Sequence, residues 1–244
     1  MDGSRKWSWV FGVLFVFLGP ARARATDGAA ALVHPRVGAV TALSGMPDGS
    51  TREEIGNCIL WTTRNRTYTL GDLHTVMTGE EGASGRVADE ISVTVGKRSS
   101  RARIVWPPEG RRNVLEVDIA ILELEDDRVG AEPFRPEDFQ GAVRDLPGLL
   151  YLAAPGHRSQ ILKIEAPAVK YGSQWFLYRE LSPGDSGGLV FAYQDGAVVP
   201  YGIVSSIGSL PGESVRGTAV YGRDALRIFI NQFLQVRDRM ASRP

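Results

Sequence analysis

The feature that most constrains this chain is a succession of short β-prone runs set between turn signals. "RVGAVTAL", "CILWTT", "TYTL", "ISVTV", "RARIVW" and "VDIAILEL" come first. A more polar, proline-bearing stretch follows, Gly130 to Gly148, and then "LLYLAAPG", "QILKIEAPAVKY", "WFLYREL", "GLVFAY", "VVPYGIVSSIG" and "GTAVYG". Runs rich in β-branched and aromatic residues at this spacing predict an all-β architecture of barrel or sandwich type, in two units of similar length. Only the end of the chain changes period. Leu226, Phe229, Ile230, Phe233 and Met240 recur at helical spacing, with Asp224 near the start, which predicts a closing helix.

The charge balance narrows the function classes. Lys+Arg and Asp+Glu each total 28, so no basic excess points to nucleic acid or to an anionic membrane surface. At the amino terminus, Arg5 and Lys6 precede an apolar run ending at Gly19-Pro20, and Ala23 and Ala25 give a small-x-small cleavage pattern. The run falls short of the roughly 18 apolar residues of a spanning helix. The expectation is a leader, residues 1–25, and a secreted or periplasmic protein with no membrane anchor after cleavage. Cys58 is the only cysteine, so no intrachain disulfide can form; its apolar setting, "GNCILW", predicts a buried, inert thiol. The sequence holds no HExxH, CxxC or GxxxxGK pattern, and no metal or other cofactor is expected.

One stretch carries candidate chemistry. "LSPGDSGGLVF" sets Ser186 among glycines just before an apolar run. Attack on an acyl carbon needs a hydroxyl, a base and donors aimed at the oxyanion. Gly184 lets the backbone curl so that its N–H and that of Ser186 point into one small space. The base must come from three histidines. His34 lies between Val33 and Pro35, and His157 follows Pro155-Gly156 in a turn and reads as a solvated loop residue. His74, in "TYTLGDLHTVMTG", directly follows a strand-like run. For the orienting acid, Asp118 stands out because "LEVDIAILEL" encloses it in apolar residues, where a carboxylate demands a partner. Asp72, between Gly71 and Leu73, reads as a turn acid. The pattern G-x-S-x-G also fits an α/β-hydrolase elbow, but that fold places its histidine after the serine, and none follows Ser186.

"TLGDLHTV", "VDIAIL", "PGDSGGLV", "YGIVSS" and the terminal amphipathic helix resemble the landmarks of chymotrypsin/trypsin-like serine proteases, over roughly Val37 to Met240. The resemblance implies two six-stranded antiparallel β-barrels: residues 26–130 with His74 and Asp118, a connector at 131–148, residues 149–222 with Ser186, then a helix and tail at 223–244. It implies a catalytic triad of His74, Asp118 and Ser186, an oxyanion hole from the Gly184 and Ser186 amides, and a protein or peptide substrate. The specificity pocket would draw on Glu180, Ser205, Ser206, Ile207, Gly217 and Ala219, with Glu180 favouring basic side chains. The family's usual "AAHC" is "DLHT" here, which places the chain with disulfide-free, bacterial-type or HtrA-like relatives. Two questions follow from the resemblance. Cleavage at Arg36-Val37 could free an amine for Asp185, or Val37 could simply start a strand. The fold could also serve as an inactive protein-binding module, a pseudoprotease.

Overall fold

A computed structural model of the chain describes residues 30–78, 86–113, 117–130, 132–140, 149–165, 167–172 and 174–241. The expected leader at residues 1–25 and part of the connector at 131–148 lie outside the described residues.

The first unit runs through β1 (Val37–Gly45), β2 (Thr51–Thr63), β3 (Arg66–Gly71), a one-turn helix α1 (Leu73–Val76), a small hairpin of β4 (Met77–Thr78) and β5 (Arg86–Val87), then β6 (Glu90–Val95), β7 (Arg98–Trp106) and β8 (Ala120–Leu124). Six of these strands close into an antiparallel barrel in the order β1-β2-β3-β8-β7-β6. The second unit contains β9 (Leu150–Ala153), β10 (Leu162–Ile164), β11 (Ala168–Tyr171), β12 (Gln174–Leu177), β13 (Leu189–Gln194), β14 (Ala197–Ser209) and β15 (Arg216–Gly222). These form a curled seven-stranded sheet in the order β10-β9-β13-β14-β15-β12-β11.

The second unit therefore differs from the closed six-stranded barrel that the resemblance implied. "QILKIEAPAVKY" reads as one strand but holds two, β10 and β11, which sit at opposite ends of the sheet. Pro167 lies between them, and a proline removes the donor that a continuous strand would need.

Why the runs are continuously apolar, rather than alternating, is plain from the packing. In β2, Cys58 and Leu60 point into the barrel interior with Val40, Val93 and Leu122. Their neighbours Ile59 and Trp61 point the other way, into a second apolar cluster. In β13, Leu189 and Phe191 join that same cluster while Val190 and Ala192 fill the interior of the second unit. Strands buried on both faces have no solvent side to encode. The shared cluster also takes Leu226, Ile230 and Phe233 from the terminal helix α2 (Arg223–Ala241). Met240, which continued the helical spacing, is 70% exposed, because the last turn of α2 runs past the apolar cluster.

Candidate active site

The site lies where the two units meet, and three local arrangements build it. The first is on the barrel. β3 pairs with β8 so that Gly71 faces Ala120, and this register sets residues 72–74 alongside residue 118. Asp118 then holds His74 twice. Its Oδ1 accepts the backbone N–H of His74 at 2.9 Å, and its Oδ2 lies 2.7 Å from the ring Nδ1. One carboxylate therefore anchors both the start of α1 and the imidazole that it carries. The side chain of Asp118 is 13% exposed and that of His74 is 41% exposed, so the ring has a buried partner on one side and open space on the other. Burial disfavours the imidazolium. The Asp118 hydrogen bond and charge, with Glu54 of β2 adding to them, outweigh it and raise the His74 pKa above the ordinary histidine value.

The second arrangement is the loop before β13. Asp185 N–H donates to Ser182 O at 3.1 Å, Gly188 N–H to Asp185 O at 2.9 Å, and Gly187 N–H to Val204 O at 2.9 Å. Gly184 and Gly187 both have positive φ, +91° and +75°. A Cβ at 187 would lie 2.0 Å from the carbonyl oxygen of Asn57, so only glycine permits this approach. Within this curl, the N–H groups of Gly184 and Ser186 meet no acceptor among the described residues. No hydrogen bond joins Ser186 to His74 among the described residues.

The third arrangement joins the units, and it rests on Asn57 of β2, which is 1% exposed. Its Nδ2 donates to the carbonyls of Gly184 at 2.8 Å and Ser186 at 2.9 Å. Its backbone N–H donates to Ser186 O at 3.0 Å, and its Oδ1 accepts from Gly156 N–H at 2.7 Å. The amide nitrogen thus fixes the Ser186 loop to the barrel, and the amide oxygen fixes the turn at Gly156. Sequence reasoning missed this residue, for an isolated Asn before a cysteine carries no periodic signal.

Asp185, in the same loop, is fully buried. Arg158 Nε and a terminal nitrogen reach its two oxygens at 2.7 and 2.8 Å, His157 Nδ1 lies at 2.9 Å, and Ser182 N–H donates at 2.9 Å. Burial alone would raise its pKa, but these donors prevail and hold it below the ordinary carboxylate value. His157 is therefore no free loop residue; a turn on Ala154 O places it and Arg158 together. Val37 meanwhile is the first residue of β1, paired with Ile59 and 2% exposed.

Of the expected pocket residues, Ser206 of β14 lies opposite Ala219 of β15, with Ile207 and Gly217 within two residues of that pair. Ser206 and Ala219 share a cleft of about 200 Å³ with Trp175, Phe176 and Leu210. Glu180, Ser205, Ile207 and Gly217 do not line it. Glu180 pairs with Arg216 at 3.4 Å, both side chains being substantially exposed. A Cβ on Gly217 would strike Leu177 O at 2.2 Å, so that residue is spent on packing against β12. Ser205 is buried at 4% exposure.

Asp72, His74 and Asp118 each offer one atom within 4.8 Å of the others. The Nδ1–Oδ2 contact is a hydrogen bond, so the group forms an acid–imidazole–acid cluster. Cys58 is buried, and burial pushes its thiol up to about 12.

With this geometry in place, the molecule is similar to two solved serine proteases. One, a thermostable serine protease AL20 from an extremophilic microorganism, superposes with a TM-score of 0.52 at 17% identity, over 80% of this chain and 95% of that one. The other, the serine endoprotease from Yersinia pestis, gives 0.56 at 15% identity, over 86% of this chain and 66% of that one, slightly under two thirds of its length. The fold is thus the chymotrypsin-like fold of serine proteases. No family model and no curated protein sequence matches the chain.

Proposed function

We propose that the protein is a serine endopeptidase acting through an acyl-enzyme. His74 accepts the Ser186 proton and later gives it to the leaving amine. Asp118 holds the ring in the tautomer with Nδ1 protonated and stabilises its charged form, and the Gly184 and Ser186 amides receive the oxyanion. The observation that carries this reading is the double hold of Asp118 on His74, at 2.9 and 2.7 Å, in a chymotrypsin-like fold. An inactive binding module gains nothing from a buried carboxylate held to a half-open imidazole.

The same proposal includes export, supported by the sequence of residues 1–25; among the described residues no helix is long and apolar enough to cross a membrane. It also includes activity without cleavage at Arg36-Val37. Arg158 and His157 already occupy Asp185, the group that a new amino terminus would have to reach. A strong preference for basic side chains is not part of it, because the Glu180 charge faces Arg216.

Reaction with a fluorophosphonate tests the function. The native protein is expected to become covalently labelled and to cleave peptides, and Ser186→Ala to lose both, with turnover falling roughly 10⁶-fold. Equal labelling of Ser186→Ala would remove Ser186 from its role, and an unreactive, correctly folded native protein would establish the pseudoprotease instead.

A further inference from the structure

Asp72 is an acid that does not do what its position suggests. It occupies the N-cap of α1, where an aspartate ordinarily accepts an N–H of the first turn, yet its side chain makes no such bond. The reason lies in the segment before β8: Asp118 Oδ1 has taken the His74 N–H. Displaced from capping, Asp72 points inward. It is 2% exposed, and neither carboxyl oxygen makes a well-formed hydrogen bond among the described residues; the nearby donor is the Gly187 amide.

The groups around it come from four elements. His74 shares its helix, Asp118 faces it from the segment before β8, Tyr221 of β15 lies close enough to feel its charge, and the Gly187 amide approaches from the Ser186 loop. The Gly187 N–H, however, is already given to Val204 O. An ionised carboxylate here would be desolvated, without a well-formed hydrogen bond, and beside a second carboxylate; each of these conditions favours the neutral acid. A neutral acid carries an O–H, and an oxygen of Asp118 lies within 4.8 Å, a span that one bridging water closes.

We propose that Asp72 is a positioning residue carried as the neutral acid, whose O–H is donated through one water to the Asp118 carboxylate behind His74. The donor spreads part of the Asp118 charge away from the imidazole. His74 is thereby kept from holding its proton too tightly, and it stays available as a base near neutral pH. Burial, then the charge of Asp118, push the Asp72 carboxyl well above the carboxylate range, in keeping with this geometry. The inference rests on the peptidase reading for its consequence in turnover, but not for its test.

The test is an NMR titration of the His74 ring in the intact chain, assigned by its loss in His74→Gln, for the native protein, Asp72→Asn and Asp72→Leu. The native midpoint is expected above the ordinary ~6.5. Asp72→Asn exchanges one neutral donor for another and should leave it within about 0.3 unit, because no charge is lost. Asp72→Leu fills the space without donating. It should raise the midpoint, shift the low-field Nδ1–H resonance, and move the acid limb of kcat upward with KM little changed. A midpoint about 1 unit or more lower in Asp72→Asn would show that native Asp72 is charged and overturn the proposal. So would Asp72→Leu with an unmoved midpoint and kcat, and if that variant does not fold, the Asn variant alone decides. Fluorophosphonate labelling reads the peptidase separately: an unlabelled protein with the expected titrations sinks the function and leaves the inference standing.

Discussion

Asp185 shows how one buried charge sets the shape of the Ser186 loop. Four nitrogens reach it, and three of them, two from Arg158 and one from His157, come from the turn after β9. Removing one partner of a buried ion pair typically costs several kcal/mol, because the other charge is left uncompensated. Asp185→Asn should therefore lower the unfolding free energy at pH 7 by about 3 kcal/mol, the low end of that range, since Arg158 is a quarter exposed. The pH dependence has a fixed sign. The folded-state pKa of Asp185 is depressed, so its stabilisation is complete above the ordinary carboxylate value of ~3.9 and is lost as pH falls through the lower, folded value. Urea midpoints of the two proteins should stay equally separated from neutrality to about pH 4 and converge below it. A separation that shrinks near neutral pH would assign the stabilisation to another group. At this scale the sequence was legible in part. Asp118 stood out because a charge amid apolar residues requires a partner, and His74 was the histidine that directly follows a strand-like run. Asp72 was misread as a turn acid, and His157, in a turn and exposed as expected, was not seen to hold Asp185, for the partners of both are distant in sequence and appear only when different parts of the chain meet.

Among the elements, α2 does more than end the chain. It follows β15 of the second unit, yet Phe233 packs edge-on against Trp61 of β2 and Tyr68 of β3, at 6.0 and 5.0 Å between ring centres. The helix thus fastens the second unit to the barrel. Phe233→Ala should cost about 3–5 kcal/mol, with a lower denaturant midpoint and an unchanged slope. A loss below about 1 kcal/mol would mean that the helix only lies on the surface. The 3.6-residue spacing gave this helix away in advance, and its apolar face could be read residue by residue as far as Phe233. The strands were legible as runs, but their pairing was not. β10 and β11 look continuous in sequence and end up at opposite edges, because strand order is decided by contacts between segments far apart along the chain.

For the molecule as a whole, the apolar cluster between the units carries the largest consequence. It draws Ile59 and Trp61 from the barrel, Leu189, Phe191 and Ile203 from the sheet, and Leu226 and Phe233 from the helix. The Ser186 loop and its Asn57 clamp sit at the edge of that shared core, so the site exists only while both halves are docked. The lone cysteine offers a clock for this docking. Cys58 is fully buried one residue from Asn57 and pairs in register with both Gly38 and Gly71. No reagent reaches it without opening of the barrel. A maleimide should therefore label the native protein only as fast as β2 detaches, and a covalent adduct on Ser186, by holding the loop against Asn57, should slow that labelling further. Labelling at the rate of a free thiol would show that the barrel opens on its own, independently of its partner. The residue that forms no disulfide thereby becomes the reporter of how long the junction between the two units stays shut.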